Sequence, residues 1–227
     1  MSANTNTFES IKAVLLSAHK HCSSTDKVKF YDTWAETYDQ DVAVLDYRAP
    51  SLAANCIASH FSGERETSVV LDVACGTGLM AKQMRKHGFR CFVGVDGSEA
   101  MLDKARESGL YQDLKHLVLD KDPLPTQFAG SFDVVVVVGA MCAGHISFNV
   151  ARDLFNAIKP GGCICLTTRS NPENLEYKAS LDLELKKIEE EGLGTCLEVI
   201  EVEDWERGVL EHDGGYISGV VYLYKRI

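Results

Sequence analysis

The sequence predicts an α/β fold in which an open, mostly parallel sheet carries helices on both faces. Three observations support that reading. Short β-rich runs alternate with helix-patterned segments from residue 69 to residue 168, an order that lays successive strands side by side and parallel. The run VVVVV at 134–138 is apolar at every position, as a strand covered on both sides must be. The first β-rich run leads directly into a glycine-containing turn that opens a helix, VVLDVACGTGLMAKQMR at 69–85.

Taken in order, residues 8–21 read as a helix with Phe8, Ile11, Leu15 and Ala18 on one face. A second helix is expected after Asp26 as N-cap, carrying Phe30, Trp34 and Tyr38, and a third at about 51–61. The alternating part follows. A strand at 69–73 precedes a helix at 79–86 that ends before Gly88, and a strand at 91–95 precedes a helix opening at Ser98. A weaker strand is expected at 116–119 and a central one at 132–138. A helix at 148–158 is stopped by Pro160-Gly161-Gly162, and a fifth strand runs over 163–167. The tail differs: a charged helix at about 172–190 precedes β-rich runs at 197–203 and 217–224. The short segment between those runs contains Gly-Gly and barely suffices for a parallel crossover, which makes them antiparallel neighbours at one side of the sheet. No repeat, low-complexity block or linker divides the chain, so one domain over 1–227 is expected, with a helical lid at 1–62 and an α/β core at 63–227.

With 227 residues, 45% hydrophobic and 25% charged, the chain has the composition of a globular protein with a full core. A net charge of −10 argues against an electrostatic grip on nucleic acid or an anionic membrane. The eight cysteines include no C-x-x-C pair. Scattered through strand-like and helix-like runs, they read as small buried hydrophobes in a reducing compartment, with Cys163 and Cys165 facing the same side of the sheet and no metal site expected. The N-terminus has no apolar h-region, and no apolar run approaches a span of roughly 20 residues. A soluble protein of the cytosol or nucleus is expected.

In such a sheet a ligand binds beyond the carboxyl ends of the strands. The turn at 74–81 admits two readings: Gly76 to Ala81 fits the G-x-G-x-x-A of a dinucleotide site, whereas Asp72 to Gly78 fits an acid followed by small residues at a methyl-donor site. Asp96, 20 residues past Gly76 at the end of the second strand, can accept hydrogen bonds from both ribose hydroxyls and supports a nucleoside in either case. Asp72 separates the two readings. A carboxylate ahead of the loop opposes a pyrophosphate but suits the cationic sulfonium and ammonium of S-adenosylmethionine. Asp120, in the stretch DKDPLP, can accept from the exocyclic amine of adenine.

The segments LDVACGTG, GVDGSEAML, DKDPLP, SFDVVVVVGA and IKPGG stand in an order and spacing that resemble class I S-adenosylmethionine-dependent methyltransferases over residues 28–168. FYDTWAETYDQD is similar to the N-terminal segment of small-molecule members such as quinone-biosynthesis enzymes. The resemblance implies a Rossmann-like seven-stranded methyltransferase sheet with an antiparallel C-terminal strand, helices on both faces and an N-terminal helical lid. Carried onto this chain, it places Ala74, Cys75, Gly76 and Gly78 around the amino-acid half of the donor and Asp96 on the ribose. Gly97, Ser98 and Met101 would edge the adenine, Asp120 and Lys121 flank its rim, and Gly139 closes the floor. Alanine at 74 departs from the glycine common there, and should constrain the loop because a methyl tolerates left-handed backbone poorly.

The donor's α-carboxylate wants a cationic or hydroxyl partner, for which Arg48 and Tyr38 are the candidates; Tyr31 and Trp34 serve either as lid packing or as donor contacts. His145, in GAMCAGHI after the fourth strand, is either a base for the acceptor or an ordinary loop histidine, because in-line displacement from a sulfonium can proceed by alignment alone. No catalytic residue is assigned. Gly139-Ala140-Met141-Cys142 stands where an Asn-Pro-Pro-Tyr motif would hold a planar amine. With the acidic charge, this favours a small-molecule acceptor over nucleic acid, with S-adenosylhomocysteine as product. The alternatives are a protein acceptor, a donor-binding partner protein without catalysis, and a nicotinamide oxidoreductase.

Overall fold

The computed structural model describes residues 7–18, 24–119, 122–210 and 215–227. Four helices come first: α1 (Phe8–Ala18), α2 (Ser24–Trp34), α3 (Tyr38–Val44) and α4 (Ala49–His60). The alternating part comprises β1 (Val69–Val73), α5 (Leu79–Lys86), β2 (Cys91–Asp96), α6 (Glu99–Glu107), β3 (Tyr111–His116), β4 (Phe132–Val137), α7 (Val150–Ala157) and β5 (Ile158–Arg169). A 3-10 turn (Pro172–Asn174) leads into α8 (Leu175–Glu190), and β6 (Gly194–Arg207) and β7 (Tyr216–Arg226) follow.

The seven strands form one sheet in the order β3-β2-β1-β4-β5-β7-β6. The first five are parallel, while β7 runs antiparallel to both β5 and β6, in keeping with the short connection at 208–215. The valine run alternates across the sheet. Val135 and Val137 join Leu71, Val73, Ile164 and Leu166 in a core closed by α7 and α8. Val134 and Val136 join Val70, Cys163 and Cys165 in a second core beneath α4 and α5. Burial on both faces is why the valine run carries no polar residue. The seven described cysteines are free thiols, five of them buried, in line with their reading as small hydrophobes. No helix among the described residues is long and apolar enough to cross a membrane.

Several boundaries differ from expectation. The second helix starts at Ser24, so Asp26 lies in its first turn, and α3 was not foreseen. The third strand is Tyr111–His116 and not 116–119. It is an edge strand, largely polar and half-exposed, so its alternation is faint, whereas the apolar Leu117 to Leu119 leave the sheet and line a cavity. The helix expected over 148–158 is confined to Val150–Ala157, and β5 absorbs Pro160-Gly161-Gly162 in an irregular stretch opposite Phe132 and Val134.

Two carboxylates seat the N-terminal helices over the carboxyl ends of the strands. Asp32 accepts from Ser98 Oγ at 2.6 Å and from the Ala100 amide at 3.3 Å. Asp39 accepts from Thr77 Oγ1 at 2.5 Å and Lys82 Nζ at 2.7 Å. The lid is thereby tied to the two turns that follow β1 and β2.

Candidate active site

Two adjoining cavities lie between the lid and the strand ends. The first, of about 150 Å³, is built from the turns after β1, β2, β3 and β4. The second, of about 210 Å³, lies between the lid, the end of β5 and the β6–β7 ribbon. Lys27, Tyr31, Tyr38, Gly139 and His145 line both and form the shared wall.

The turn after β1 is held in left-handed backbone at three alternate positions, with φ of 53° at Ala74, 54° at Gly76 and 92° at Gly78. Glycine reaches this region without strain, whereas the Ala74 methyl costs about 1–2 kcal/mol. Asp96 fixes the turn: its Oδ2 accepts from the Gly76 amide at 2.8 Å and its Oδ1 from the Ser98 amide at 2.9 Å. Asp96 lines the first cavity, where it is the one carboxylate contributed by the described residues. Burial pushes its carboxyl above the ordinary range against the pull of the Ser98, Gly76 and Gly97 amides. Ser98 caps α6 by accepting from the Met101 amide at 3.2 Å, and Met101, 1% exposed, joins Leu117, Leu119 and Ile146 in an apolar lining. Gly139 donates its amide to Thr167 Oγ1 at 2.9 Å, and a Cβ there would fall 2.1 Å from Tyr47 Oη, so only glycine fits.

Tyr38, Ala74, Gly76, Asp96, Gly97, Ser98, Met101 and Gly139 therefore meet around one cavity, as the sequence suggested. Asp120 and Lys121 lie outside the described residues. The remaining four turn elsewhere. Asp72 is 1% exposed and absent from both cavities, since its Oδ2 accepts from Tyr111 Oη at 2.6 Å on the α5 side of the sheet. Burial raises its carboxyl to about 7. The carboxylate expected to meet a sulfonium is a core residue, and the argument that set a methyl donor against a diphosphate does not hold at this position. Tyr111 also covers Gly78, whose Cβ would lie 3.0 Å from its ring. Cys75 packs inward, its amide donating to Val95 O and its Sγ lying 2.9 Å from where a Cβ on Gly94 would be. Arg48 sits outside, 41% exposed, paired with Asp204 and bonded to the Asp204 carbonyl at 3.0 Å.

The guanidinium missed in the sequence is Arg169, the last residue of β5, which lines the second cavity. Its Nε lies 2.8 Å from Glu206 Oε1, and Glu206 holds it firmly protonated. A signal was present: LTTRS places a lone cation at the carboxyl end of an otherwise buried strand, where ligands gather. In the shared wall, Tyr31 Oη lies 3.0 Å from His145 Nε2, and His145 Nδ1 lies 3.2 Å from Cys142 Sγ. Burial holds the Tyr31 and Tyr38 phenols un-ionised. Trp34 packs edge-on against Tyr38, with ring centroids 4.7 Å apart, and lines the second cavity alone.

This geometry agrees with what the chain is similar to. A family model described as a methyltransferase domain matches residues 70–162. Methyltransferase-like protein 27 of Homo sapiens is 45% identical over 183 residues, 81% of this chain and 74% of that one. A ubiquinone biosynthesis O-methyltransferase of Pseudomonas paraeruginosa is 32% identical over 109 residues, 46% of each chain. A SAM-dependent methyltransferase of Leishmania major superposes with a TM-score of 0.63 over 89% of this chain and 82% of its own, at 13% identity, a likeness of fold.

Proposed function

The chain belongs to the class I S-adenosylmethionine-dependent methyltransferases, and from that premise we propose that its two cavities divide the reaction between donor and a small-molecule acceptor. S-adenosylmethionine is the cofactor. When bound, it supplies a methyl group on a positively charged sulfur and leaves as S-adenosylhomocysteine. The first cavity suits it. Asp96 presents free lone pairs for ribose hydroxyls, Met101 and the leucines flank a flat base, and Gly76 leaves the loop open, since a Cβ there would meet nothing within 4 Å. In place of Arg48, the ammonium of Lys27 and the phenol of Tyr38 stand where the donor's carboxylate can be met.

The observation that carries the reading is the shared wall. Tyr31 and His145 face both cavities and are hydrogen-bonded to each other, so a nucleophile entering from the second cavity meets a ready proton route. Tyr31, un-ionised, takes the nucleophile's proton as it passes its own to His145 Nε2. The concave acceptor cavity, ringed by aromatic side chains, favours a small molecule over a polymer.

Incubating the protein with methyl-labelled donor and fractionated cell extract tests this. Label is expected in the metabolite pool; label confined to RNA or protein would overturn the small-molecule reading. Tyr31→Phe is expected to slow incorporation roughly a hundredfold while S-adenosylhomocysteine affinity stays within threefold. Unchanged incorporation would remove Tyr31 from the proton route.

A further inference from the structure

Among the described residues, two buried side-chain polar atoms accept no hydrogen bond, Asn171 Oδ1 and Glu206 Oε1, and both belong to residues lining the second cavity. A buried acceptor left without a donor is costly, so two in one cavity call for a ligand that donates. Glu206 is only 6% exposed, and although its Oε1 lies 2.8 Å from Arg169 Nε, the contact is an ion pair without hydrogen-bond alignment. Arg169 is complementary. Its side chain keeps 35% of its surface accessible, it lines the same cavity, and neither of its Nη atoms donates to a described residue. A forked donor beside one acceptor, with a second acceptor in the same lining, thus stands unmatched in a chamber walled by Trp34, Tyr47 and Trp205.

We propose that this chamber anchors the acceptor by an α-amino-acid head. The inference rests on the methyltransferase reading above and adds the class of substrate. The head's carboxylate takes the two Nη groups of Arg169, the planar match that a guanidinium makes best. The head's ammonium donates to Glu206 Oε1 and Asn171 Oδ1. A neutral zwitterion meets a neutral ion pair, so no net charge is buried. A plain acid leaves both acceptors orphaned and sets its charge against Glu206; a plain amine leaves the guanidinium fork empty. A site built this way rejects analogues that lack one partner. Arg169, Glu206 and Asn171 line the second cavity alone, whereas Tyr31 and His145 line both. The anchored head therefore stands away from the donor, and the atom that takes the methyl group belongs to the other end of the molecule, the side chain of the amino acid.

The test uses the full chain saturated with S-adenosylhomocysteine and four probes: L-tyrosine, tyramine, 3-(4-hydroxyphenyl)propionic acid and the corresponding propionamide. Calorimetry is expected to give L-tyrosine at least tenfold tighter than each of the others. Glu206→Gln, nearly isosteric, should shrink the advantage over the acid at least fivefold, and Arg169→Lys the advantage over the amine, with S-adenosylhomocysteine affinity within twofold in both variants. The proposal is overturned if the acid, the amine or the amide binds as well as L-tyrosine, if none of the four binds the loaded protein, or if the ratios survive both substitutions. Absence of S-adenosylhomocysteine binding by the parent protein would instead remove the reading on which it stands.

Discussion

The first cavity is assembled from turns that directly follow neighbouring strands, whereas the second draws on the first helix, the end of β5 and the last two strands. The contrast is one of sequence distance. Around the first cavity most of the lining comes from strand ends, joined by Lys27, Tyr31 and Tyr38 of the N-terminal helices, and Asp96 organises the turn by bonding amides at 76 and 98. Around the second, Arg169 and Glu206 approach only because β7 lies between β5 and β6 and brings their ends level. Under the proposed division, donor binding is a local property of this fold and acceptor choice a property of its assembly.

Substitutions at three charged residues sharpen that contrast. The largest effect is expected at Asp96, where the charge-assisted hydrogen bonds proposed to a ribose would be lost. At about 1.5–3 kcal/mol each, with partial compensation by water, Asp96→Ala should weaken S-adenosylhomocysteine binding roughly a hundredfold with the fold intact. Calorimetry and circular dichroism check this together, and an affinity within threefold of the parent would mean that the first cavity does not hold the donor's ribose.

Asp72, on the adjacent strand, should behave oppositely, affecting stability and not binding. Its carboxyl titrates at about 7 in the folded protein, against 3.8 when unperturbed. The folded state thus keeps a proton that the unfolded chain releases first. This contribution to stability is whole below about pH 4 and is lost as the pH rises to about 7. Asp72→Asn cannot titrate and can still accept from Tyr111. Relative to the parent, its stability in urea should gain a few kcal/mol across that window, with donor affinity unchanged. Parallel stability curves for the two proteins would count against the buried carboxyl.

The smallest effect is expected at Arg48. An exposed ion pair with Asp204 contributes little because solvent screens it, and Arg48→Ala should leave donor affinity and turnover alone. A loss of donor affinity above fivefold would restore Arg48 to the site and blur the boundary between lid exterior and cavity.

How much was legible follows the same division. The parallel order, the five-valine strand and the antiparallel tail could be read because hydrophobic period and connection length are local quantities. Asp96, Gly76, Ser98 and Gly139 were legible because a strand end places its own next residues. Asp72 was misread because its direction depends on pleat and on what fills that side, and Tyr111, from another strand, fills it. Asp32 and Asp39 passed unnoticed within the lid motif because their partners, Ser98 and Thr77, lie 66 and 38 residues away in the chain. The apolar run at 117–119 looked like a strand although it lines a cavity, since burial against a ligand space and burial within a sheet select the same side chains.

The sequence by itself determined a twisted parallel sheet, the turns at its carboxyl edge and the carboxylate that organises them, because these follow from backbone preference and from residues adjacent in the chain. Only the tertiary structure decided which acids face a ligand, which arginine enters the chamber and how the two cavities share a wall. Those outcomes depend on side chains from remote strands competing for the same space, and no periodicity along one strand encodes the neighbour across it.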